Sequence, residues 1–117
     1  MALEDPSQLE LLKSKKKKFK NDPFRDSSGT YWASRREYDR WQHLRVCKIA
    51  ELISDLKRQV RFLLVVNGIK IGVYVADFTY EHDGVKVVED AKGYQTRVYK
   101  IKKRLMKALY SIEIKEV

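Results

Sequence analysis

From residue 61 to residue 92 the apolar positions come in runs that two turn dipeptides interrupt. Residues 61–66 form one run and end at Asn67-Gly68. Residues 69–75 resume it and lead into Val75-Ala76-Asp77-Phe78, and a further β-branched run follows Asp83-Gly84. Asn-Gly and Asp-Gly between such runs signal hairpins, because a two-residue turn needs backbone angles that Gly adopts freely. The pattern predicts a meander of three antiparallel strands, at about 60–66, 69–80 and 85–92. If Asp83 and Gly84 are the turn residues, His82 faces Val85. Counting back along both strands then sets Asp77 directly across from Asp90. Side chains alternate along a strand, so Asp90 and Lys92 share a face, and Asp77 shares it with them.

The flanks read as helices. Ser34-Arg35-Arg36-Glu37 is a capping-box pattern that opens a helix carrying Tyr38, Trp41, Leu44 and Cys47 inward. Glu37 falls on the same apolar side, where a carboxylate needs a partner. A capping-box glutamate needs no other role, so a structural and a functional Glu37 stand side by side. Ile49, Leu52, Ile53 and Leu56 extend the helical spacing by a turn or two, with a break near Ser54-Asp55. After Gly93, residues 95–110 predict an amphipathic helix. Val98, Ile101, Leu105, Ala108 and Leu109 make its inward stripe, and Arg97, Lys100, Lys103, Arg104 and Lys107 its outer face. The alternation in 112–117 predicts a short strand, which can pair in parallel across the helical crossover. The fold class is α/β (α+β): helix, three-stranded antiparallel meander, helix and strand, in a mixed sheet flanked by helices. Residues 1–30 read as a basic arm, with a helix start at Ser7 and Glu10, the run Lys15, Lys16, Lys17, Lys18, and a linker over 21–29. Residues 31–117 then form the core domain.

Composition narrows the function. The chain of 117 residues has a formal net charge of +9 and a pI near 9.7. Such an excess favours a polyanion, DNA or an acidic membrane surface. Lys15, Lys16, Lys17, Lys18 and the helix cations Arg97, Lys100, Lys103, Arg104 and Lys107 are the candidate phosphate contacts, against the plainer reading of a solvated surface. No apolar run reaches the ~20 residues of a membrane span, and the N-terminus lacks the apolar block of a secretory signal. Cys47 is the single cysteine, which excludes an intrachain disulfide and a cysteine zinc site. A cytoplasmic protein is expected. His43 and His82 are too few for a histidine metal centre, and Trp32 and Trp41 fit a core better than a base-stacking platform.

The predicted hairpin concentrates the chemistry. Like charges opposite one another destabilise a strand pair. A cation between Asp77 and Asp90 would cancel that cost, and oxygen donors of this kind suit magnesium or manganese.

Asp77, twelve residues, and then Asp90-Ala91-Lys92 resembles the signature of the PD-(D/E)xK phosphodiesterases, the restriction-endonuclease-like superfamily that includes Holliday junction resolvases. More narrowly, YVADFTYEHDGVKVVEDAKG followed by a basic helix is similar to a small phage-borne nuclease family within it. The resemblance covers about residues 31–117. Ala76 stands where the pattern usually has Pro. Glu89 and Asp90 are adjacent, and the spacing to Lys92 selects Asp90. The resemblance implies metal-dependent hydrolysis of DNA phosphodiesters inside a bacterial host, with branched DNA among the substrates. It implies Asp77 and Asp90 as ligands of Mg2+ or Mn2+, with the backbone carbonyl of Ala91 completing the shell. Glu37 would assist directly or through water, and Lys92 would hold and polarise the attacking water. Symmetric cleavage of two strands needs two active sites and hence a homodimer. The alternatives are a catalytically inactive DNA-binding module of the same fold and a basic protein that binds a protein partner.

Overall fold

The computed structural model describes residues 22–92 and 94–117. Ser7, Glu10, Lys15, Lys16, Lys17, Lys18 and Gly93 lie outside the described residues. In chain order the elements are β1 (Phe24–Arg25), β2 (Tyr31–Trp32), α1 (Arg35–Ile49), β3 (Ser54–Val66), β4 (Ile69–His82), β5 (Val85–Asp90), α2 (Arg97–Tyr110) and β6 (Lys115–Glu116). The described residues divide into two compact units, one up to residue 39 and one from residue 40 on, with the boundary inside α1.

In the first unit, a carboxylate organises a small hairpin where the sequence pattern predicts only a linker. Strands β1 and β2 pair antiparallel, Phe24 with Trp32 and Arg25 with Tyr31. Between them Asp26 Oδ1 accepts the Ser28 N–H at 2.9 Å, the Ser28 hydroxyl at 2.6 Å and the Thr30 N–H at 3.1 Å. Its Oδ2 accepts the Trp32 indole N–H at 2.9 Å. The hydrogen bonds from Ser28 first, and then from Trp32, hold the Asp26 carboxyl down at about 2. Trp32 is buried, as expected of a core residue, and packs edge-on against Tyr38. The predicted cap is present: Ser34 Oγ accepts the Glu37 N–H at 3.1 Å.

In the second unit, both turn dipeptides turn the chain as predicted. Asn67 and Gly68 have φ of 49° and 78°, and Asp83 and Gly84 have 51° and 77°, the paired positive values of a type I′ hairpin. The four-stranded sheet runs β3-β4-β5-β6, antiparallel through the meander and parallel between β5 and β6. The architecture is thus mixed α+β, with two helices among the described residues. The β4–β5 register pairs His82 with Val85 and ends at Phe78 with Glu89, so Asp77 and Asp90 each stand one residue beyond the last pair.

Strand β3 is longer than its pattern predicts. Helix α1 stops at Ile49, where Glu51 takes φ 61° and the Leu52 N–H returns to the Cys47 carbonyl at 2.9 Å. Residues 54–59 then enter β3 instead of continuing a helix. Leu56, Arg58 and Val60 are half-buried while Lys57 and Gln59 are exposed, a period of two. The exposed side chains of Ile49 and Leu52 confirm that their spacing was not a helix face.

The two faces of the sheet carry different layers. Phe62, Leu64, Tyr74, Ala76, Val88 and Ile114 share a core with Tyr99 and Met106 of α2. Phe78 instead stacks on Trp41 of α1 with ring centroids 5.8 Å apart, and the Arg58 guanidinium lies 5.6 Å from the Trp41 centroid. Along a regular strand, residues of equal parity stay on one side. Here Ala76 and Phe78 face opposite layers, as do Val60 and Arg58. Both strands roll over together at Gln59 and Asp77, and Gln59 takes φ 52° to allow it.

Helix α2 presents a different face from the one its stripe predicts. Tyr99 and Met106 are buried, two turns apart, while Val98 and Ile101 are 60% and 57% exposed, Ala108 and Leu109 are exposed and Leu105 is half-buried. Adjacent helical residues differ by roughly 100°, so the true buried face is rotated about a quarter turn from the expected stripe. The long side chains of Tyr99 and Met106 reach the sheet, and Tyr110 adds a hydrogen bond from its hydroxyl to the Leu63 carbonyl at 2.6 Å.

Candidate active site

Strand alternation gives two adjacent acids separate surroundings. Glu89 turns to the α1 side, where Arg40 meets it with two parallel hydrogen bonds, Nε to Oε1 at 2.8 Å and Nη2 to Oε2 at 2.7 Å. The Tyr80 hydroxyl donates to the same Oε2. Burial alone would raise the Glu89 pKa, but the hydrogen bonds from Arg40 and Tyr80 outweigh it and hold the carboxyl below its ordinary value. Burial, and then the bond to Glu89, push the Tyr80 phenol up to about 12. Glu89 is therefore a neutralised structural acid.

Asp90 turns to the α2 side and is 1% exposed. The Tyr74 hydroxyl donates to its Oδ2. Its Oδ1 is buried and has no hydrogen-bond partner. The Lys92 ammonium is 3.3 Å from that oxygen, close enough for an ion pair but out of line for a hydrogen bond. The same ammonium sits 4.9 Å from the centroid of the Tyr99 ring. Across the hairpin, half-buried Asp77 accepts the Ala91 N–H on Oδ2 at 2.8 Å. That bond ties the first acid to the backbone immediately after the second. The predicted set Asp77, Asp90, Ala91 and Lys92 is thus gathered at one end of the β4–β5 hairpin.

The parallel strand and α2 close the other side. In register, Asp90 pairs with Glu116, and the Val117 N–H bonds the Asp90 carbonyl at 3.1 Å. Glu116 Oε2 accepts the Tyr99 hydroxyl and the Gln95 amide, each at 2.8 Å, with the Lys103 ammonium at 3.1 Å. These donors, the Tyr99 hydroxyl foremost, lower the Glu116 pKa. Burial raises the Tyr74 and Tyr99 phenols, with the further push coming from Asp90 on Tyr74 and from Glu116 on Tyr99. Asp77 and Asp90 both act on both phenols, so these four groups form one electrostatic neighbourhood.

Two carboxylates, one carrying a buried oxygen without a hydrogen bond, fit a small divalent cation. Among the described residues no three His, Cys, Asp or Glu side chains form a ready-made cage. Magnesium seldom needs one, since it keeps several waters and is held by one or two carboxylates plus substrate phosphates.

Glu37 is buried and belongs to the first unit, whereas Asp77, Asp90 and Lys92 belong to the second. Arg97, Lys100 and Arg104 are exposed on α2. Lys103 is half-buried against Glu116, and Lys107 pairs with Glu113, so acids from the C-terminal segment engage two cations of the expected basic face. Lys15, Lys16, Lys17 and Lys18 lie outside the described residues. Sequence reasoning did not find Tyr74, Tyr99 or Glu116. Glu116 stands in an alternating tail, and the two tyrosines look like ordinary core aromatics, so only pairings across the fold reveal them.

The family model described as "Protein of unknown function (DUF1064)" matches residues 13–116. The chain belongs to the DUF1064 family. No curated protein and no solved structure matches this DUF1064 chain. The matched region contains the β4–β5 hairpin with Asp77, Asp90 and Lys92, and Glu116 as well. No described helix of the DUF1064 chain is long and apolar enough to cross a membrane.

Proposed function

We propose that this protein is a metal-dependent endodeoxyribonuclease that hydrolyses DNA phosphodiester bonds at the Asp77, Asp90 and Lys92 site. One observation carries the reading. The hairpin lays Asp77 against Asp90-Ala91 and leaves a buried Asp90 oxygen facing the Lys92 ammonium without a hydrogen bond. A structural acid would be satisfied as Glu89 is. The resemblance to the restriction-endonuclease-like superfamily supports the reading, beside an element order of helix, antiparallel meander, helix and parallel strand. The net charge of +9 suits a polyanionic substrate.

Asp77 and Asp90 would hold Mg2+ or Mn2+, with the Ala91 carbonyl beside them. A cation there lowers the pKa of bound water and offsets charge on the phosphoryl group. Lys92 is held by Asp90 on one side and the Tyr99 ring on the other, which fixes its ammonium where it can hold the attacking water or a phosphate oxygen. The exposed cations Arg97, Lys100 and Arg104 follow the DNA backbone. Each chain carries one such site, so symmetric cutting of branched DNA requires a homodimer.

The test is cleavage of labelled linear, nicked, flapped and four-way DNA with and without Mn2+, by the native protein, Asp90→Asn and Lys92→Ala. Products are expected only from the native protein with metal. Asp90→Asn should melt within a few degrees of the native protein, because its amide oxygen still accepts from Tyr74. Cleavage that persists in both variants refutes the reading. Salt-sensitive binding without products under any metal identifies the inactive binding module instead.

A further inference from the structure

We infer that Tyr74 is a positioning residue that restricts Asp90 to a one-oxygen donor and thereby selects small octahedral cations over calcium. The inference rests on the divalent-cation reading of the site. Both partners are buried: Tyr74 is 3% exposed and Asp90 1%. The Tyr74 ring is clamped in the core between Phe62 and Tyr99, with centroids 6.3 and 6.4 Å away. Its hydroxyl occupies Asp90 Oδ2, and Oδ1 alone is left without a hydrogen bond.

That asymmetry decides which ions the carboxylate serves. Calcium takes six to eight oxygen ligands at about 2.3–2.6 Å and often uses both oxygens of a carboxylate. Magnesium demands an octahedron at about 2.0–2.1 Å and accepts one oxygen while keeping its waters. With one lone pair of Oδ2 taken by a phenol packed into the core, Asp90 favours the second geometry over the first. Partners of this kind, which orient a ligating side chain, typically tune affinity by about 10–100-fold.

The experiment measures Mn2+ and Ca2+ binding by calorimetry to the native protein and to Tyr74→Phe, which keeps the ring and deletes only the donor. The ratio of Ca2+ to Mn2+ affinity is expected to rise about tenfold in the variant. A second measurement needs no variant. The separation of the carboxylate stretching bands of the native protein, in infrared difference spectra, should match one-oxygen coordination with Mg2+ and should not shift to the two-oxygen pattern with Ca2+. An unchanged ratio with intact Mn2+ binding, or a two-oxygen pattern in the native protein with Ca2+, overturns the role of Tyr74 alone. Failure of the native protein to bind Mn2+ at all overturns the metal reading and this inference with it.

Discussion

Replacing Arg40 with Met should destabilise the protein by about 3–4 kcal/mol near neutral pH. Glu89 has no exposed surface, and Arg40 supplies two of the donors that hold its charge inside. Charge-assisted hydrogen bonds are worth about 1.5–3 kcal/mol each. Removing one partner of a buried pair typically costs about 3–5 kcal/mol, because the remaining charge is left uncompensated. Tyr80 still donates to Glu89, and Met refills the apolar volume, so the lower part of that range applies. Lys115 offers little relief, since its ammonium is 3.9 Å away and well exposed. With a urea m-value of about 2 kcal/mol/M, the midpoint should fall by roughly 1.5–2 M. The pH dependence supplies the sharper check. In the native protein Glu89 has a folded pKa below the ordinary glutamate value of 4.5. Its contribution is complete above that value and is lost as pH falls through the folded pKa. In Arg40→Met, burial is opposed only by Tyr80 and the exposed Lys115 ammonium and pushes the folded pKa above the unfolded one, so the folded state binds the proton more readily. The variant therefore gains stability as pH falls from about 7 to about 5, and its gap to the native protein narrows. Arg40→Met combined with Glu89→Gln should recover most of the loss. A loss under about 1 kcal/mol, or a gap that does not narrow toward pH 5, refutes the assignment of Glu89 as an acid held ionised by Arg40.

Two further outcomes concern the scaffold. Met106→Ala removes a side chain with no exposed surface from the shared core of α2 and the sheet, and should cost about 2–5 kcal/mol in urea unfolding with an unchanged m-value. Gln59→Gly relieves a left-handed residue at φ 52° in the middle of β3. The strain of a non-Gly residue there is about 1–3 kcal/mol and the entropic cost of Gly about 0.5–1, so a net gain of up to about 2.5 kcal/mol is expected in thermal melts. A loss of stability would show that contacts of the Gln59 side chain outweigh its backbone strain.

The hairpin that gathers Asp77, Asp90 and Lys92 was legible because its determinants are local. Asp83-Gly84 names the turn, and a period of two then fixes every facing pair. The first half of β3 was illegible because Ile49, Leu52, Ile53 and Leu56 happen to fall at helical intervals, while the feature that ends α1, the positive φ of Glu51, leaves no mark in composition. The buried face of α2 was misjudged for a different reason. Val98, Ile101, Leu105 and Leu109 make the better apolar stripe, yet Tyr99 wins the interior because its hydroxyl finds Glu116, seventeen residues on. The choice between Glu89 and Asp90 followed from spacing, but its physical basis, the bond from Arg40 across 49 residues, belongs to the folded chain.

The separate surroundings of Glu89 and Asp90 also police strand alignment. If β5 slid by one residue against β4, the two acids would trade places. Arg40 would then face the shorter aspartate, whose carboxylate falls short of its fork, and a longer acid would be thrust at Tyr74. The misaligned sheet would cost both acids their partners, so the bond that secures Glu89 also fixes which way Asp90 faces.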